Sequence, residues 1–240
     1  MPYLLEICKA GKTIEVSKYY SSKYNKRGYK REKKAKPTTE QQKEINKRQA
    51  EIKLTRIMNA NFQYRDWLIT LNYKKGKNLD KEQMKKDIQK FLRKARTVYK
   101  KSNKELKYIH VMEIGKRGAR HHHLLMNNID PTLITDLWEH GFLDFKPLDD
   151  TGQYSKIAHY FIKYSDTYMG TDKELQGKRW NASKNLIHPV PEKKIISKFD
   201  YFRREAKAQK GFYVDKESIE EGIHEKTGYL FFRYTLVMIS

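Results

Sequence analysis

Two histidines set two residues apart, His121 and His123, are the residues most able to do chemistry. They lie in Tyr108–Asn128, YIHVMEIGKRGARHHHLLMNN, with Glu113 eight residues before His121. On a strand, side chains alternate, so His121 and His123 share one face and His122 points to the other. Two imidazoles about 7 Å apart along the backbone can converge on one metal ion. A hairpin turning near Lys116–Arg120 places the Glu113 carboxylate beside them. Two nitrogens and one carboxylate on one side of a cation leave its other side open to polarise a phosphate oxygen. The same residues have two other uses. One is a histidine pair that hydrogen-bonds carboxylates for structure. The other is the iron site of an oxygenase, although small apolar substrates do not call for a chain as basic as this one.

A second group lies in Lys156–Tyr168, KIAHYFIKYSDTY. Tyr160, Lys163 and Tyr164 fall at i, i+3 and i+4, one face of a helix. A tyrosine can act as a covalent nucleophile. Its phenol ordinarily titrates near pH 10, so a metal or a nearby cation must activate it. Lys163 can lie beside Tyr160 and a phosphate. An aromatic helix face alone is more often core, and this one gains meaning only beside the histidine strand.

The elements that must position these groups follow from pattern. Asp66–Tyr73, DWLITLNY, is a short run of β-formers and predicts a buried strand. Asp80 caps a helix to about Lys101, with Met84, Ile88, Phe91, Leu92, Ala95, Val98 and Tyr99 at helical spacing. Leu106–Ile114 and His121–Met126 predict a hairpin. Pro131–His140 predicts a helix, Phe142–Pro147 a strand, and Tyr154–Tyr168 the tyrosine helix. Thr38 with Gln41 forms a capping box opening a helix over Thr39–Asn59. Tyr19–Lys36 is basic, rich in tyrosine and nearly free of aliphatics, and reads as a flexible arm. Tyr229–Ile239, YLFFRYTLVMI, predicts a last strand. The order predicts an α+β fold, a central antiparallel sheet with helices mainly on one face, preceded by the basic arm and helix. The expected division is an arm and helix over 1–62 and a catalytic domain with a basic extension over 63–240.

The chain has 240 residues, with 51 lysines and arginines against 29 acids, a formal charge of +22. Such a surplus favours a polyanionic partner. Thirty aromatics (Tyr 17, Phe 10, Trp 3) among these cations suit single strands, whose bases stack on rings while cations track phosphates. A basic ribosome-associated protein shares that composition. Mean hydropathy is −0.91, and no apolar run is long enough to span a bilayer. The first residues carry no secretory signal pattern. The single cysteine, Cys8, excludes an internal disulfide and a cysteine zinc cluster. No GxxxxGK[ST] phosphate loop is present, so no ATP-driven step is expected.

The WLITLNY strand, the Glu113/His121/His123 hairpin and the YFIKY helix together resemble rolling-circle replication initiators of the HUH endonuclease superfamily, closest to the phage and plasmid types of Gram-positive mobile elements. KTIEVSKYYSSKYNKRGYK and GKRWNASKNL extend the likeness. The resemblance implies a palm-like antiparallel sheet, and assigns Thr70 and Leu71 to a strand that buttresses the site. It makes Glu113, His121 and His123 the ligands of Mg²⁺ or Mn²⁺ and Tyr160 the nucleophile. Lys163 is its lysine, and Tyr164 the second tyrosine that some relatives use. His122 stands where relatives carry a large apolar residue. The implied activity is nicking of single-stranded or hairpin origin DNA, leaving a 5′-phosphotyrosine and a free 3′-hydroxyl. Host helicase and polymerase would act with it in a bacterial cytoplasm, away from any membrane. Lys26, Arg27, Lys30, Arg31, Lys178, Arg179 and Trp180 are the expected DNA contacts. A mobilisation relaxase, a single-strand transposase and a binding protein with a dead site share these features.

Overall fold

The computed structural model describes residues 3–21, 38–74, 79–115, 118–167, 175, 177–223 and 228–239. Lys26, Arg27, Lys30 and Arg31 fall outside them. The chain divides into two units. The first comprises Met1–Ala60, Thr151–Gln153 and His188–Ser240, and the second Asn61–Asp150 and Tyr154–Ile187. The first crossing lies close to the expected boundary at residue 62, but the C-terminal fifth returns to the first unit instead of extending the second. The fold is α+β, with two antiparallel five-stranded sheets.

The second unit carries the predicted chemistry. Its sheet is formed by β3 (Trp67–Tyr73), β4 (Tyr108–Ile114), β5 (Arg120–Met126), β6 (Gly141–Pro147) and the short β7 (Asn181–Ala182), in the order β6-β3-β5-β4-β7. Helix α2 (Lys81–Lys101) begins where Asp80 accepts from the Gln83 amide at 2.6 Å, the expected cap. Its apolar stripe packs Met84, Phe91, Leu92 and Tyr99 against Leu71, Met112 and Leu124 of the sheet. Helix α4 (Ser155–Thr167) packs along β4 on the opposite face, the one that carries His123.

The helix expected over Pro131–His140 is cut to α3 (Thr132–Thr135). Asp130 accepts from the Thr132 amide at 2.9 Å, and the chain then tightens into i→i+3 bonds, Leu137 to Ile134 and Trp138 to Thr135. That turn drives Trp138 into the core, where its indole donates to the Asn72 carbonyl at 2.8 Å.

The first unit holds strands that the sequence patterns do not predict. Strands β1 (Tyr3–Ala10) and β2 (Thr13–Tyr20) form a hairpin. Tyr19 and Tyr20, expected in the flexible arm, instead close β2. Gly11 turns the hairpin at φ +56°, and a Cβ there would stand 1.9 Å from the Asn59 carbonyl oxygen. Three further strands, β8 (Glu192–Ile196), β9 (Phe212–Ile223) and β10 (Leu230–Met238), complete the order β8-β1-β2-β10-β9. Helix α1 (Thr39–Asn61) opens with the predicted capping box: Thr38 Oγ1 accepts from the Gln41 amide at 3.2 Å and Gln41 Oε1 from the Thr38 amide at 3.1 Å. A short α5 (Lys198–Phe202) follows β8. Among the described residues, no helix is long and apolar enough to cross a membrane.

Candidate active site

The register of the second sheet builds the site from three neighbouring strands. Glu113 of β4 faces His121 of β5, and His121 faces Asn72 of β3. One row along, His123 faces Thr70. Alternation therefore puts Thr70, Asn72, Glu113, His121 and His123 on one face, as the spacing predicted for the last three.

Their hydrogen bonds are specific. His123 Nε2 meets Glu113 Oε2 at 2.5 Å, and its Nδ1 lies 3.2 Å from Thr70 Oγ1. His121 Nδ1 lies 2.8 Å from Asn72 Oδ1. The Asn72 amide nitrogen faces two carbonyls, of Thr70 and Phe142, at 3.4 and 3.5 Å, so its oxygen is the atom turned to His121. An acceptor there holds His121 as the Nδ1–H tautomer and leaves a lone pair on Nε2. Burial, then the neighbouring His123, push the His121 pKa down, against the pull of Glu113. The ring is thereby kept neutral. A methyl at Gly115 would stand 3.4 Å from that Nε2, so the glycine keeps it open.

Helix α4 brings the tyrosines. Tyr160 Oη lies 3.5 Å from His123 Nε2, and its ring meets the His123 ring edge-on at 5.2 Å. Tyr164 stacks on His123 at 5.8 Å and meets Tyr160 at 4.3 Å. Burial raises the Tyr160 pKa, and the hydrogen bond to Tyr164 and the Glu113 carboxylate raise it further. The phenol therefore needs a cation to ionise near neutral pH. Lys163 is exposed, and among the described residues it makes no hydrogen bond to Tyr160 or the histidines.

The donors suit a divalent cation: a neutral imidazole with a free Nε2, a second imidazole beside a carboxylate, and Nδ1 partners of the kind that orient metal-binding histidines. Thr70, whose hydroxyl can donate or accept, serves either tautomer of His123. Among the described residues, no three His, Cys, Asp or Glu side chains already stand close enough to share an ion. The rings of His121 and His123 have centroids 6.2 Å apart.

Residues 66–168 match a known family model, Replication-associated protein ORF2/G2P. That span runs from β3 through α4 and contains every residue of the cluster, on less than half of the chain. The match supports a replication initiator. No curated protein and no solved structure matches the chain.

His122, on the opposite face, is fully buried in a chain of hydrogen bonds: His110 Nε2 to His122 Nδ1 at 3.0 Å, His122 Nε2 to Tyr73 Oη at 2.9 Å, and Tyr73 Oη donating to Asp87 at 3.2 Å. It fills an apolar position because Tyr73 and His110 satisfy both of its nitrogens. Arg179 pairs with Asp166 of α4 at 2.7 Å and ties the loop before β7 to the tyrosine helix. Lys178 is exposed and Trp180 half-buried. Asn72 is the site residue that motif spacing misses. Its signal was present, two positions from Thr70 on the same predicted strand and so on the same face.

Proposed function

We propose that this chain is a replication initiation protein that nicks single-stranded origin DNA, of the HUH endonuclease superfamily. Tyr160 is the nucleophile, and Mg²⁺ or Mn²⁺ would be held by Glu113, His121 and His123. The observation that carries the reading is the Tyr160 hydroxyl at 3.5 Å from His123 Nε2, the atom that also meets Glu113.

The bound cation would draw electron density from the scissile phosphate and favour the ionised phenol. Tyr160 Oη then bonds to phosphorus as the P–O3′ bond breaks in line. The proton lost by the phenol balances the one gained by the 3′-hydroxyl. The 5′-phosphate stays on Tyr160 as an ester, so the bond is kept and its reversal rejoins the strand. Tyr164 positions the attacking ring through its hydrogen bond and edge contact. Asn72 and Thr70 hold the two imidazoles from behind. Lys163, Lys178, Arg179 and Trp180, with Lys26, Arg27, Lys30 and Arg31, are proposed to contact the DNA. Host helicase and polymerase would extend the free 3′-end in the bacterial cytoplasm.

The second reading is a nucleic-acid-binding protein without nicking activity. The raised Tyr160 pKa and the lack, among the described residues, of three ligands already gathered favour it.

The test is incubation with single-stranded origin DNA and Mn²⁺, followed by denaturing electrophoresis. A covalent protein–DNA band that vanishes with chelator and in Tyr160→Phe supports nicking. Binding without that band in the native protein leaves the second reading.

A further inference from the structure

We propose that an aromatic ladder at one end of the first unit's sheet binds single-stranded DNA, separately from the nicking centre. The rings come from strand ends that pairing forces together. Tyr229, just before β10, stacks on Tyr20 at the end of β2, centroids 3.9 Å apart. Tyr20 meets Tyr3 edge-on at 5.7 Å, and Tyr3 stacks on Tyr201 of α5 at 4.1 Å. Phe202 then meets Tyr201 edge-on at 5.1 Å.

The ladder is braced from inside and open outside. Tyr20 and Tyr201 are buried, and Tyr201 donates to the Leu230 carbonyl. Lys18 Nζ donates to the Asp200 and Arg203 carbonyls at 2.9 and 2.6 Å, which fixes α5 against β2. Phe199 is 76% exposed, Phe202 49% and Tyr229 41%. Rings held by a rigid backing and left in water have no folding role that demands their size.

Their surroundings select the partner. Residues 192–210, EKKIISKFDYFRREAKAQK, carry seven lysines and arginines against three acids. Lys198 lies over the Phe202 ring at 6.0 Å. Arg203 and Arg204 pair only loosely, with Glu205 at 3.5 Å and Glu221 at 3.4 Å, at half-exposed positions. Such pairs contribute little, so phosphates can displace the acids. Exposed rings interleaved with cations fit unpaired bases, whereas a duplex would engage only the cations. The choice of DNA over RNA rests on the proposed nickase reading of the second unit.

The experiment measures anisotropy of labelled dT20 with the full chain in a Tyr160→Phe background, where strand cleavage plays no part. Phe199→Ala with Phe202→Ala is expected to weaken dT20 binding by about tenfold or more with an unchanged melting temperature. Arg203→Gln with Arg204→Gln is expected to lower the salt slope by about two. Unchanged dT20 affinity in the aromatic variant would overturn the proposal. So would a 20-base-pair duplex or U20 binding more tightly than dT20. Adduct formation on a short origin strand, with Tyr160 restored, should persist in the aromatic variant, so loss of the nickase reading and loss of this one are separable.

Discussion

Glu113 faces His121 across the β4–β5 ladder yet gives its hydrogen bond to His123, the diagonal neighbour. The carboxylate thus sits between the two imidazoles instead of belonging to either. His121 is free to take its orientation from Asn72, on the far side. Three strands therefore each supply one part of the proposed cation site and its support.

Asn72→Ala should leave His121 without its Nδ1 acceptor. Orienting partners of this kind are worth about 10–100-fold in metal affinity. Calorimetric titration with Mn²⁺ should show that loss, while the melting temperature falls only slightly, because Asn72 is half-buried. Unchanged Mn²⁺ affinity would mean that Asn72 does not position His121 for a metal.

The buried histidines predict acid sensitivity of the fold. Burial, then the neighbouring His123, holds His110 at about 3, and burial, then His110, keeps His122 well below 6.5. Both stay neutral when folded, while the unfolded chain protonates them near 6.5. Stability is thus independent of these groups above that pH and falls below it. The slope is about 1.4 kcal/mol per pH unit for each histidine. Urea midpoints with chelator present should decline from pH 7 to pH 5, and His110→Gln should reduce the slope. A flat profile would contradict the buried network.

In the first unit, Arg56 bridges Glu6 at 2.8 Å and Glu15 at 2.5 Å, all three largely buried. Burial pushes the Glu6 pKa up, but hydrogen bonds from Tyr19 and Arg56 outweigh it, and the net shift is down. Arg56→Ala strands two carboxylates and should cost about 3–5 kcal/mol in urea unfolding. Glu6 contributes stability above its ordinary range that is lost as pH falls through its folded pKa, and Arg56→Ala should shrink that acid loss. A cost under about 1 kcal/mol, the range of surface pairs, would show that the bridge is solvated.

The second unit was legible because its signals are local. The stripe of α2, the DWLITLNY run and the histidine hairpin each lie within one short window. The first unit's sheet pairs β1 with β8 and β2 with β10, partners far apart in sequence. Its strands also hide their pattern. Glu6 occupies a core-facing position of β1 because Arg56 neutralises it, and β8 and β9 are mostly exposed and charged. In the site, spacing gave the histidines and both tyrosines. It did not give the diagonal bond from Glu113 or the exposure of Lys163, since both depend on how strands and helix meet.

The most direct test maps the covalent link. Trypsin cuts after Lys156 and Lys163, so Tyr160 falls in the peptide of residues 157–163 and Tyr164 in that of 164–173. Mass spectrometry of nuclease-trimmed adduct, formed with single-stranded origin DNA and Mn²⁺, should find the nucleotide mass on residues 157–163. A nucleotide on residues 164–173, or on no peptide of this helix, would contradict Tyr160 as the nucleophile.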